Sequence, residues 1–174
     1  MRAEDAAKAV RLVILDVDGV LTDGGLYYDG EGRVLKRFNV QDGLGIKLAA
    51  GLGLEFAVIT GLESPAVRDR VEELGIRHYY PGHTRKIPRL NDLAAKTGIS
   101  FANMAYVGDD WVDAAPMSKV GLPIAVANAR PEILRLAAWT TTARGGNGAV
   151  REAIDFILRA QDKFDALWRD WSTA

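Results

Sequence analysis

Apolar residues come along this chain in short runs that end in turn or acidic residues. Runs at 12–17, 54–59, 76–80, 104–107 and 121–126 read as strands; continuous apolar runs of this length fit strands buried on both faces. Between them, stretches at about 43–52, 65–74, 86–97, 110–118 and 131–138 read as helices. Regular strand–helix alternation predicts an α/β fold, a doubly wound, Rossmann-like parallel sheet with helices on both faces. Ser64-Pro65 and Arg130-Pro131 place proline where a helix begins. From 149 to 168, the spacing of Val150, Ile154, Ile157, Leu158, Phe164, Leu167 and Trp168 predicts a helix lying on the body of the domain.

One stretch breaks the alternation. Leu26 to Leu35 reads as a β-hairpin around the Asp29-Gly30 turn, within a protruding segment of about 25–38. A two-stranded hairpin is marginal alone in water, and its open edges invite pairing with another chain. It either folds back on its own domain or pairs between subunits. The need to bury Tyr27, Tyr28, Val34 and Leu35 favours the second.

The chain of 174 residues is read as one domain, 1–174, with a C-terminal arm at about 144–174. Its 22 basic and 23 acidic residues nearly cancel, so charge offers no case for nucleic acid or an anionic membrane as partner. The absence of cysteine excludes disulfides, thiolate metal sites and a cysteine nucleophile. Met1 to Arg11 lacks the apolar core of a signal peptide. No apolar run approaches the roughly 20 residues that span a bilayer. The expectation is a cytoplasmic protein.

The chemistry gathers where apolar runs stop. Leu12-Val-Ile-Leu-Asp16-Val-Asp18-Gly19 ends a buried strand in two aspartates spaced two apart, which leave it on the same side. Carboxylates that close raise each other's pKa unless a cation lies between them. The tripeptide by itself also fits an acidic turn or the Asp-x-Asp metal clamp of sugar-nucleotide transferases. Phe56-Ala-Val-Ile59 ends in Thr60-Gly61, where a hydroxyl and open amides suit a phosphate. Lys86 opens a helix, against the macrodipole. Met104-Ala-Tyr-Val107 runs into Gly108-Asp109-Asp110, with Asp113 one turn further. Asp109 or Asp110 completes an oxygen shell for Mg²⁺ with Asp16 and the Asp18 carbonyl, and Asp113 is placed to orient Lys86. His78 and His83 look incidental.

In this order these residues resemble the four motifs of the haloacid dehalogenase (HAD) superfamily. The resemblance implies that Asp16 is the nucleophile, Asp18 the general acid and base, and Thr60 and Lys86 phosphate and charge partners. It further implies a Mg²⁺ site at Asp16, Asp18 and Asp109, backed by Asp110 and Asp113. Only 41 residues separate Asp18 from Thr60 and 25 separate Thr60 from Lys86, which leaves no room for a cap domain. The hairpin, Phe38-x-Val40-x-Asp42-Gly43, Tyr106-Val-Gly-Asp-Asp110 and Gly145-Gly-Asn-Gly-Ala-Val-Arg-Glu152 are similar to the capless 3-deoxy-D-manno-octulosonate 8-phosphate (KDO 8-phosphate) phosphatases. That family implies a small sugar acid phosphate as substrate and a homotetramer joined through the hairpin. Arg144 and the glycines before 149 fit an anion contact and a plain loop equally well. After Thr60-Gly61 those enzymes usually carry arginine; here stand Leu62 and Glu63. A related branch acting on nine-carbon 2-keto-3-deoxy acid 9-phosphates has glutamate near this point, and Arg68 or Arg70 then becomes the candidate cation. Two further readings are a broader phosphatase and, more remotely, a non-catalytic assembly subunit on the same fold.

Overall fold

The structure is a computed structural model and describes residues 2–173. Its centre is strand β1 (Leu12–Leu15), whose four residues are wholly buried. Around it lie β4 (Glu55–Ile59), β5 (His78–Tyr80), β6 (Met104–Gly108), β7 (Leu122–Ala125) and β8 (Trp139–Thr140), with the short hairpin strands β2 (Tyr27–Tyr28) and β3 (Val34–Leu35) standing apart. The main sheet has six strands in the order β5-β4-β1-β6-β7-β8, and every pairing in it is parallel.

The helices are α1 (Ala3–Lys8), α2 (Val40–Gly51), α3 (Pro65–Glu73), α4 (Ile87–Thr97), α5 (Trp111–Met117), α6 (Pro131–Leu136), α7 (Ala149–Ala160) and α8 (Phe164–Thr173). From β1 the chain moves outward through β4 to β5, then returns past β1 and continues through β6, β7 and β8. With right-handed crossovers these two directions place helices on opposite faces. Accordingly α1 and α2 both pack on α7, while α5 packs between α4 and α6. The order reverses between β1 and β6, and crevices at the carboxyl ends of such a reversal are where doubly wound sheets bind ligands. No cap domain interrupts this layout among the described residues.

Two expectations need correction, and two elements were not foreseen. The segment 149–168 is not one helix. Asp162, with φ 56, sits in the left-handed region, and the bonds Lys163 N–H to Leu158 C=O (2.9 Å) and Asp162 N–H to Arg159 C=O (3.1 Å) end α7 in a Schellman turn. The hairpin reverses through Gly30-Glu31-Gly32 rather than a two-residue Asp-Gly turn. Asp29 and Arg33 close that three-residue loop, and Gly32 takes the positive φ it requires. Strand β8 and helix α1 were not anticipated.

Candidate active site

Asp16 continues β1 by one residue; its N–H bonds the Val107 carbonyl at 3.1 Å, so the β1–β6 ladder carries it to the reversal point. Beyond it the backbone turns sharply at Gly19 (φ 94), packed directly on the Asp109 carboxylate with no space for a Cβ. Asp109 follows β6, and Asp110 after it caps α5, accepting the Trp111 N–H at 2.7 Å. Asp113, in the first turn of α5, is fully buried.

Lys86 joins these parts. It stands at the N-cap of α4 with its side chain buried, and its Nζ donates to Asp16 Oδ1 and to Asp113 Oδ1, both at 2.7 Å. The Tyr106 hydroxyl donates to the same Asp113 oxygen at 2.8 Å, and the Asp109 N–H donates to Asp113 Oδ2 at 3.0 Å. Burial works against the Lys86 charge, but Asp16 and Asp113 together outweigh it and hold its pKa above the ordinary lysine value. Burial, with the Asp113 charge, raises Asp16 to about 7 despite Lys86. Burial, with the charges of Asp16 and Asp113, raises Asp109 to about 8.

Such values describe a site short of positive charge. Asp16, Asp109 and Asp113 offer oxygens within 4.8 Å of one another. Asp113 is already committed to Lys86, Tyr106 and the Asp109 amide, so it stands behind the site rather than in it. Asp109 Oδ1, by contrast, is buried without a hydrogen-bond partner. An all-oxygen donor set with an orphaned carboxylate oxygen fits a hard divalent cation, Mg²⁺ in particular.

Comparison with known proteins identifies the family. Residues 75–154 match the family model described as haloacid dehalogenase-like hydrolase. The chain is 48% identical over 159 residues to the KDO 8-phosphate phosphatase KdsC of Escherichia coli, covering 91% of this chain and 85% of that protein. The chain belongs to the haloacid dehalogenase-like hydrolases. Among solved structures of such hydrolases, the Moraxella catarrhalis KDO 8-phosphate phosphatase, in complex with magnesium ion, phosphate ion and KDO, superposes with TM-score 0.95 at 40% identity. That match covers 97% of each chain. The Yersinia pestis KDO 8-phosphate phosphatase gives TM-score 0.92 at 42% identity, covering 94% of this chain and 88% of that one.

The other expected positions of this HAD-like hydrolase separate into near and far. Thr60 is buried at the end of β4, with its N–H on the Tyr80 carbonyl and its own carbonyl accepting from His83 N–H. Gly61 follows, with Thr84 as its nearest neighbour. Arg144 is exposed. Next to it, Gly145 packs on the Gly19 carbonyl, and Asn128 bridges the two strands of chain by donating to Gly19 C=O (3.1 Å) and accepting from Gly145 N–H (2.6 Å). The glycine-rich segment is thereby tied over the loop that follows Asp18. Arg70 is committed elsewhere, donating to Glu73 (2.8 Å) and the Asn39 carbonyl (3.3 Å). Arg68 pairs with Glu63 at 2.9 Å, and Leu62 is exposed.

Three residues of the site went unread in the sequence. Tyr106 was quoted as the start of a family-like string but given no role, and Asn128 lies in an unremarkable loop. Lys36, just past β3, ion-pairs with Asp18 Oδ1. A lysine after two apolar strand residues carries no signal of its own.

Proposed function

We propose that this protein is a Mg²⁺-dependent phosphatase that hydrolyses a 2-keto-3-deoxy sugar acid phosphate of the KDO 8-phosphate type through an aspartyl-phosphate. The observation that carries the chemistry is Asp16, held on Lys86 at the sheet's reversal point beside the unpartnered Asp109 oxygen. Its similarity to KDO 8-phosphate phosphatases supports the substrate.

Asp16 attacks phosphorus as the ester P–O bond breaks, and Asp18 gives its proton to the leaving oxygen. Water then attacks the aspartyl-phosphate, Asp18 takes the water's proton, and phosphate leaves with Asp16 restored. Asp16, Asp109 and the carbonyl of Asp18 would hold Mg²⁺, which when bound offsets charge on the phosphoryl oxygens and on Asp16. Lys86 supplies the second cation from its buried perch, and Asp113 and Tyr106 fix its direction. Asp110 supports the site by capping α5. The Thr60 hydroxyl and the Gly61 amide bind phosphate oxygens. Arg144 at the rim is the better cation for the sugar acid; the Arg70 guanidinium is already engaged.

We further propose a single-domain cytoplasmic enzyme that assembles as a homotetramer through the hairpin. Leu26, Tyr28 and Leu35 there are more than half exposed in one chain, a surface suited to strand addition between copies. Light scattering of the wild type against Leu35→Asp tests it: a tetramer that the variant splits supports the assembly, and a wild-type monomer rejects it.

The deciding experiment is phosphate release from KDO 8-phosphate and from a nine-carbon 2-keto-3-deoxy acid 9-phosphate, with Mg²⁺ and with chelator. Glu63 beside Leu62 favours the nine-carbon acid as the second reading. Mg²⁺-dependent turnover preferring the eight-carbon ester supports the first. Cleavage of simple phosphate esters with neither sugar acid turned over would overturn the substrate and leave the chemistry.

A further inference from the structure

The pairing of Lys36 with Asp18 reaches beyond the motif residues. The Lys36 side chain is 2% exposed, whereas Leu35 before it and Arg37 after it are exposed. A lysine on a short protruding hairpin has an easy path to solvent, and burying its ammonium is costly unless a partner compensates. The partner is Asp18 Oδ1. The root of the hairpin is pinned around it: Arg37 donates to the Gly146 carbonyl at 3.0 Å and to Asn147 Oδ1 at 3.1 Å, and Thr22 and Phe38 form an isolated bridge. Among the described residues, Lys36 is the one hydrogen-bond donor to the Asp18 carboxylate, whose second oxygen has no protein partner.

We infer that Lys36 is a positioning residue, anchoring one oxygen of Asp18 so that the other is aimed at the leaving oxygen and then at the attacking water. The inference rests on the reading of Asp18 as general acid and base, but not on the identity of the sugar acid. It also makes the root of the hairpin part of the catalytic machinery. Loss of the anchor therefore damages proton delivery and leaves phosphate binding and the attack of Asp16 intact.

Leaving-group dependence separates these steps. An alkyl phosphate needs its leaving oxygen protonated, whereas p-nitrophenyl phosphate expels a stable anion. With Lys36→Met, kcat on an alkyl phosphate such as glycerol phosphate, or on the sugar acid phosphate, is expected to fall roughly 100-fold, within the range for general acid catalysis. Expected alongside are a single-turnover burst of p-nitrophenol within about threefold of the wild-type rate, because that first step needs no proton from Asp18, and partial recovery of alkyl phosphate turnover with Lys36→Arg. Adding Lys36→Met to Asp18→Asn should cost little more, because coupled residues are not additive. A p-nitrophenol burst slowed as much as alkyl phosphate turnover, a change confined to KM, or additive losses in the double variant would overturn the inference, as would no loss at all. If Lys36→Met does not fold, shown by the absence of a cooperative melting transition, Lys36→Gln takes its place with the same outcomes. A wild type that cleaves aryl and alkyl phosphates but no sugar acid phosphate undermines the substrate assignment and leaves this test intact.

Discussion

Asp109 shows how function opposes stability at a single residue. Its carboxylate is buried among Asp16 and Asp113, with one oxygen unpartnered. Asp109→Asn removes that repulsion while keeping the shape, so at about pH 8 in chelator the variant is expected to melt higher than wild type. Turnover should fall at least 100-fold, because Mg²⁺ loses a ligand. A lower Tm in chelator would show that the carboxylate is not strained. Asp113→Ala acts in the opposite direction. It leaves Lys86 buried with one partner fewer and strands the Tyr106 hydroxyl, so Tm should drop with a loss of about 3–5 kcal/mol by the general cost of breaking a buried pair. Asp16, Asp18, Thr60 and Asp109 were legible because each stands at or just past the end of an apolar run, and Lys86 and Asp113 because each falls at a helix start, positions that linear order reveals. Lys36 was not, because its role depends on the path of a hairpin that brings it back across 18 residues. The contact of Arg70 with the Asn39 carbonyl was hidden for the same reason, since it spans 31 residues, whereas its pair with Glu73 lies on its own helix.

At the scale of elements, the loop 145–148 owes its place to close backbone approach. A Cβ on Gly145 would collide with the Gly19 carbonyl, and one on Gly146 with the backbone of Thr22 and Asp23. Glu152 on α7 secures the segment leading into this loop, accepting from the N–H groups of Thr142 and Ala143 at 2.8–3.0 Å. Gly145→Ala must push this segment off the loop carrying Asp18. The expected results are a stability loss of about 1–3 kcal/mol by denaturant unfolding and a larger loss of kcat than of Mg²⁺ affinity. The family-like string from Gly145 to Glu152 thus has a structural explanation that its residues alone left open. β1, β4, β6 and β7 were read to within one or two residues because burial leaves an apolar run, and the half-buried edge strand β5 was read from Ile76 and its two tyrosines. The break at Asp162 was not, since Lys163 and Asp162 do not disturb the helical spacing on either side. Nor was β8, whose two residues are a strand only by pairing with Ile124 and Ala125 of β7.

For the whole molecule, the charge balance of the site sets a dependence of stability on pH. Asp16 and Asp109 have folded pKa values of about 7 and about 8, above the ordinary carboxylate range. Without metal, the folded state therefore holds more protons than the unfolded chain between about pH 4 and 8, and stability falls as pH rises through that window. Mg²⁺ displaces those protons. In chelator, Tm should decline from about pH 5.5 to 8, and the rise in Tm on adding Mg²⁺ should be larger at pH 8 than at pH 6. A Mg²⁺ effect that shrinks toward high pH would contradict this account of the cluster.

The register of the central sheet has one more consequence. Asp16 and Asp109 are delivered by neighbouring strands whose ladder pairs Leu15 with Val107 and continues through the Asp16 amide. Adjacent strands keep a spacing of about 4.8 Å that their hydrogen bonds will not let widen, so the sheet acts as a gauge on ionic radius. A small octahedral ion is content with two carboxylates and water, whereas Ca²⁺ seeks six to eight oxygens at longer range. Mn²⁺ should substitute for Mg²⁺ in turnover, and Ca²⁺ should occupy the site and silence it, which competition of the two ions in a phosphate-release assay would reveal.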